Sequence, residues 1–144
     1  MHCANHRLAL AVAHAAGGIP YLQRFKSILE TLFYFYQNSA VRMASLHAIQ
    51  EVLNDPSIKC KLAKDVRWLS HDMAIKAVVR ILSSLLISLD REASENSEPT
   101  AHGLLKFIKC YKFIACAYLL SDVLPHLSRL SRIFRKQDVD LSLV

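Results

Sequence analysis

Ala74-Ile75-Lys76-Ala77-Val78-Val79-Arg80-Ile81-Leu82-Ser83-Ser84-Leu85-Leu86-Ile87-Ser88-Leu89 carries the cleanest periodicity in the chain. Apolar residues fall at Ala74, Ala77/Val78, Ile81/Leu82, Leu85/Leu86 and Leu89. Steps of three and four put them on one face of an α-helix. Ser70 stands where an N-cap belongs, and Asp72 brings a negative charge to the first turn, where the helix dipole favours it. The expectation is one long helix over 71–89, with Leu82 and Leu85 in the core.

The same reading extends outward. Ala and Leu dominate residues 3–16, a helix stopped by Gly17-Gly18. Pro20 suits the first turn of the next helix, whose stripe is Leu22, Phe25, Leu29, Leu32 and Tyr36. Ser39 caps a third helix with Val41, Ile49, Val52 and Leu53 on its apolar side, ended by Asn54-Asp55-Pro56. Residues 58–66 read as irregular. Asp90 to Thr100, with Asp90, Glu92, Glu95 and Glu98, reads as a solvated acidic linker. A fifth helix is expected over 101–120, with Leu104, Ile108, Tyr111, Ala115 and Tyr118 inward. A sixth spans about 123–136, with Pro125 in its first turn and Leu127, Leu130 and Phe134 as its stripe.

The fold class is therefore all-α, about six helices. Residues 1–144 form one domain-sized unit or fragment: helices over 1–89, the acidic linker 90–100, and basic-faced helices over 101–144. The 144 residues are enough to bury a core, and a hydrophobic fraction of 53% argues against disorder over most of the chain. No apolar run is long and uninterrupted enough to span a bilayer, and the N-terminus lacks a secretory pattern. Cys3, Cys60, Cys110 and Cys116 show no disulfide framework and read as reduced, with Cys110 and Cys116 as small core residues.

Chemistry is sparse. Cys3-x-x-His6 is half of a zinc-site spacing; a structural site needs four ligands, and nothing pairs His2, His14 or Cys60 with this half. Cys3 and His6 are the only weak metal candidates, and the expectation is no metal and no cofactor. The acids Glu30, Glu51, Asp55, Asp65, Asp72, Asp122, Asp138 and Asp140 lie mostly at helix ends, on polar faces or in turns, and none follows a strand-like run. Two-metal phosphoryl transfer needs converging carboxylates, so no catalytic constellation is expected. No phosphate loop, nucleophile elbow or small-molecule site is evident.

Basic residues show more order. Lys106, Lys109 and Lys112 step by three opposite Leu104, Ile108 and Tyr111. Arg129, Arg132, Arg135 and Lys136 do the same opposite Leu127, Leu130 and Phe134. With a formal charge of +6, such faces could track a phosphate backbone, or simply solvate the helices. Trp68, the only tryptophan, stands beside Arg67, either as a base-stacking pair or as a buried ring with a stacked arginine.

Cys3-Ala4-Asn5-His6-Arg7-Leu8 is similar to the Cys-x-x-His-x-Leu segment of hAT-family transposases. Arg67-Trp68-Leu69-Ser70 looks like that family's Arg-Trp motif. The stretches Gly103 to Phe113 and Asp122 to Ser131 resemble the hAT-derived tails of host zinc-finger and BED-type proteins. The resemblance covers nearly the whole chain. It implies the helical insertion domain of such a transposase, with the RNase H-like strands largely missing. It also implies a segment that starts after the second catalytic Asp and stops before the Glu, so no catalytic acid carries over. In the family Trp68 would correspond to the tryptophan that stacks on a flipped base. The expected function is a non-catalytic, transposase-derived fragment that contacts DNA through Arg67, Trp68 and the basic faces, in the nucleus. The alternative is a helical protein-interaction or self-association module with no nucleic-acid role.

Overall fold

The computed structural model describes residues 4–62 and 71–135. Among these the chain is all-helical, with no strand and seven helices rather than six: α1 Ala4–Gly17, α2 Pro20–Gln37, α3 Ala40–Val52, α4 His71–Arg80, α5 Leu82–Ser94, α6 Pro99–Ile108 and α7 Tyr111–Arg135. Helix α2 lies centrally against α1, α3 and α6, α5 packs on α3 and α6, and α7 covers α1 and α4. None of the described helices is long and apolar enough to cross a membrane.

Local signals explain several boundaries. Pro20 opens α2. The Ser39 side chain accepts a hydrogen bond from the Arg42 N–H at 3.3 Å and so caps α3. At the other end of α3, Asn54 turns left-handed at φ 55°, a conformation that asparagine tolerates. The Asn54 N–H then reaches Glu51 O at 3.2 Å, and the Asp55 N–H reaches Gln50 O at 2.9 Å. That pair of bonds is a Schellman closure, and it satisfies carbonyls the helix end leaves orphaned. Residues 55–62 have no regular structure, as expected for the start of the irregular stretch. The Ser70 cap lies outside the described residues.

The core joins Phe25, Leu29, Leu32 and Tyr36 of α2 to Leu46, Ile75, Ile81, Leu85, Leu89, Leu104, Ile108 and Phe113. The α2 stripe is thus as read, except that Leu22 is only half-buried. Inside the core the Tyr36 hydroxyl donates to Ser88 Oγ at 2.9 Å. That bond ties α2 to α5, and burial holds the phenol well above its usual pKa.

Four expectations are corrected. The long helix bends at Ile81, with φ −117° and ψ 22°, although its hydrogen-bond ladder continues through Leu85 N–H to Ile81 O at 2.9 Å. The bend lets α4 pack on α7 while α5 packs on α3 and α6. Leu85 is fully buried, whereas Leu82 only borders the core. On α3 the inward side is Leu46, Ile49 and Gln50; Val41 and Val52 are 78% and 80% exposed, because the helix is rotated about its axis by its contacts with α5 and α2.

The acidic segment is not a solvated linker. Residues 90–94 complete α5, and Glu98 caps α6 by accepting from the Thr100 N–H. Arg42 gathers this segment: its Nη2 lies 2.7 Å from Glu98 Oε2, and its Nε lies 3.7 Å from Glu92 Oε2. Its guanidinium also stacks 4.1 Å from the centroid of Phe35. Asn96 Nδ2 donates to Glu92 at 2.9 Å, so the buried carboxylate is both paired and hydrogen-bonded.

The fourth correction concerns the C-terminal third. The fifth helix stops at Ile108, and the sixth begins at Tyr111 and runs unbroken to Arg135 with Pro125 in its interior. The turn at Lys109-Cys110 resets the helical phase. Phe113, Ala117, Leu124 and Ser131 face inward, while Tyr111 and Tyr118 are 85% and 50% exposed. Ala115 is exposed, and so is Cys110, which is not a core residue; Cys116 is half-buried.

Candidate nucleic-acid interface

The turn between α6 and α7 meets the first half of α2, and cations and aromatic rings converge there. The rings of Tyr21 and Phe107 stack at 6.0 Å with 16° between their planes. Arg24 lies over Phe107 at 5.2 Å, and Lys112 Nζ lies over Tyr21 at 4.3 Å. Lys112 stands in the first turn of α7, the wrong end of the helix dipole for a cation. The electron-rich face of Tyr21 offsets that penalty. Burial, opposed by the Arg24 charge, raises the Tyr21 pKa above the usual phenol range, so the ring keeps its hydroxyl proton. Beside the rings, a groove of about 580 Å³ runs between α2 and α6, with Lys106 and Gly103 on its α6 side and no acid in its lining.

The predicted cations are all exposed where they are described: Lys106, Lys109, Lys112, Arg129, Arg132 and Arg135. They do not form two parallel faces. Lys109 caps the C-terminus of α6, and Lys112 belongs to α7. On α7, at about 100° per residue, Arg132 sits roughly 160° around the axis from Lys112. Lys106, Arg132 and Arg135 also lie in the last turns of their helices, where a cation complements the dipole. Arg67, Trp68, Lys136 and Cys3 lie outside the described residues.

A larger asymmetry encloses this corner, and no single motif announces it. Residues 4–29 and 99–135 together carry nine Lys and Arg against one acid, Asp122. Residues 30–62 and 71–98 carry six Lys and Arg against eight acids. Because α7 packs on α1, and α6 on α2, the acid-poor segments are neighbours in space. Among the described residues, Arg24, Lys106, Lys109, Lys112, Arg129, Arg132 and Arg135 have no acidic partner. A field of one sign over connected helices is the electrostatic footprint that a polyanion reads. The sequence signal was the absence of acids over two long segments, which counts only once the fold places them together.

The structure also brings together a serine and a histidine that the sequence did not pair. Ser57 Oγ lies 3.0 Å from His47 Nδ1, in a pocket of about 740 Å³ shared with Glu51 and Asp55. The proton inventory decides what this pair can do. Gln50 Nε2 donates to Ile58 O at 2.8 Å, so its Oε1, 3.0 Å from the same His47 nitrogen, is an acceptor. Nδ1 therefore carries the proton, and Ser57 meets an N–H instead of a lone pair. His47 ties the α3 end to the following loop.

Among the described residues, no three His, Cys, Asp or Glu side chains are placed to hold a metal ion. His6 is exposed on α1. Cys60 is buried, and burial pushes its thiol up to about 12, far from the thiolate that zinc needs. Metal analysis of protein purified without chelator is expected to give well under one zinc per chain. A stoichiometric value lost in Cys3→Ser would show that the Cys3–His6 half-site is completed. The chain matches no family model and no solved structure.

Proposed function

We propose that this chain is a non-catalytic helical module, derived from a hAT-type transposase, that contacts nucleic acid through its acid-poor side. The supporting observation is the charge segregation: residues 4–29 and 99–135, which fold side by side, carry nine Lys and Arg against the single acid Asp122. Such a surface binds by releasing counterions from phosphates, which needs no active site and no pocket. In this reading the chain works on DNA in the nucleus, and Arg67 and Trp68 add contacts to an unpaired base.

Salt dependence tests the proposal. The logarithm of the DNA association constant should fall linearly with the logarithm of salt concentration, by about 0.9 per phosphate contacted on duplex. Replacing Arg129, Arg132 and Arg135 together with Gln should flatten that slope by about two to three units. A triple variant with the wild-type slope would overturn the basic-surface reading. Incubation of nicked or hairpin DNA with Mg²⁺ or Mn²⁺ should yield no cleavage, and cleavage abolished by a single Asp substitution would overturn the non-catalytic part.

One observation favours a second reading. The outer side of α7 exposes Tyr111 at 85%, Tyr118 at 50%, Leu119 at 62% and Ile133 at 44%. An apolar row on a solvent-facing helix suits a partner helix. A mass that rises with protein concentration, with no DNA shift at low salt, would favour this interaction module.

A further inference from the structure

We infer that the groove between α2 and α6 is a subsite for single-stranded nucleic acid, seating an unpaired base beside Phe107 and Tyr21 with its phosphates at Arg24 and Lys106. The inference rests on the nucleic-acid reading above and narrows it to one strand form and one place.

Four observations meet in this groove. Its volume, about 580 Å³, is within the range of pockets that bury a small organic ligand. Its wall contains two stacked aromatic rings, both half-buried, with the Arg24 guanidinium over Phe107 as a further planar surface on which a base can stack. Arg24 and Lys106 stand on opposite helices along the groove, and neither has an acidic partner among the described residues. Gly103 lines the groove, and a Cβ built on it meets nothing within 4 Å. The missing side chain leaves space in the middle of a helix where almost any other residue would favour the helix more.

The chemistry selects the occupant. A duplex presents its phosphates outward and keeps its bases stacked inside, so it would use the cations and leave the rings idle. A single strand offers both a phosphate chain and free π-faces, and proteins that bind it combine a cationic groove with aromatic platforms. An acidic peptide would match the charge but would gain little from the aromatic wall.

The experiment uses fluorescence anisotropy on the full chain. The probes are a labelled oligothymidylate, a blunt duplex of equal length and a polyglutamate peptide of similar charge. The decisive variant is Gly103→Leu. Its Cβ has open space at a position that lines the groove, the change improves helix propensity, and circular dichroism verifies the fold. Gly103→Leu should weaken oligothymidylate binding about tenfold, within the range that stacking on one aromatic contributes, and leave duplex binding unchanged. Lys106→Gln, on an exposed position, should flatten the oligothymidylate salt slope by about 0.7 for one lost phosphate contact on a single strand. If Gly103→Leu binds oligothymidylate as the wild type does while duplex binding persists, the groove inference is overturned and the nucleic-acid reading survives. Equal loss on both probes, or polyglutamate binding as tight as oligothymidylate binding, also overturns the groove inference. If the wild type binds neither nucleic acid at low salt, the proposed function itself falls.

Discussion

Phe113→Ala is expected to cost about 3–5 kcal/mol of folding stability, the usual range for emptying a fully buried phenylalanine site. Phe113 is 0% exposed in the first turn of α7. Its ring stacks on Phe25 at 4.8 Å and meets Phe107 edge-on at 5.7 Å, so it joins α7 to both α2 and α6. Deleting it removes the transfer free energy of the ring and leaves a cavity between three helices that cannot all collapse inward. Domains of this size are stable by only about 5–15 kcal/mol, so the loss should be plain in urea unfolding. Tyr111→Ala is the control. At 85% exposure it should change stability by less than about 0.5 kcal/mol. An uninterrupted fifth helix would bury Tyr111 instead, so the reverse ranking would mean that α7 starts in a different phase.

Arg42→Met should cost on the order of 3 kcal/mol, by stranding a buried carboxylate. Arg42 holds Glu98 at 2.7 Å and Glu92 at 3.7 Å, and its Nη1 donates to Phe35 O at 3.4 Å. The Glu92 side chain is 8% exposed, and among the described residues Asn96 is the other side chain that bonds its carboxylate. Arg42→Lys should recover part of the loss at most, because an ammonium cannot bridge two carboxylates and lie flat on Phe35 as a guanidinium does. The double variant Arg42→Met/Glu92→Gln should be more stable than Arg42→Met alone, since it removes the stranded charge. Thermal unfolding of the four proteins checks the ranking. A double variant no better than Arg42→Met would show that stacking on Phe35, not ion pairing, is what Arg42 contributes.

Helix identity was legible because it is a local property. The steps of three and four in α2 and across residues 74–89, Pro20 at a helix start, Ser39 as a cap and Asn54 at a helix end each act within a few residues. Ordinary propensities sufficed for the all-helical reading, which holds among the described residues. The basic residues of α6 and α7 were legible as exposed for the same reason: a lysine or arginine without an acid nearby seldom goes inside.

Tertiary packing decided the rest, because it acts between residues far apart in the chain. Nothing near Ile81 demands a bend; it serves two different sets of neighbours. The turn at Lys109-Cys110 shifts the helical phase, which turned Tyr111 outward and Phe113 inward although both are aromatic and two residues apart. Glu92 and Glu98 look like solvated linker acids until Arg42, some fifty residues earlier, is folded against them. The candidate site has the same origin. Arg24 and Lys106 are unremarkable cations on separate helices. Only the contact of α2 with α6 places them along one groove with Tyr21 and Phe107, because side chains converge where backbones pack and local sequence does not encode which backbones meet.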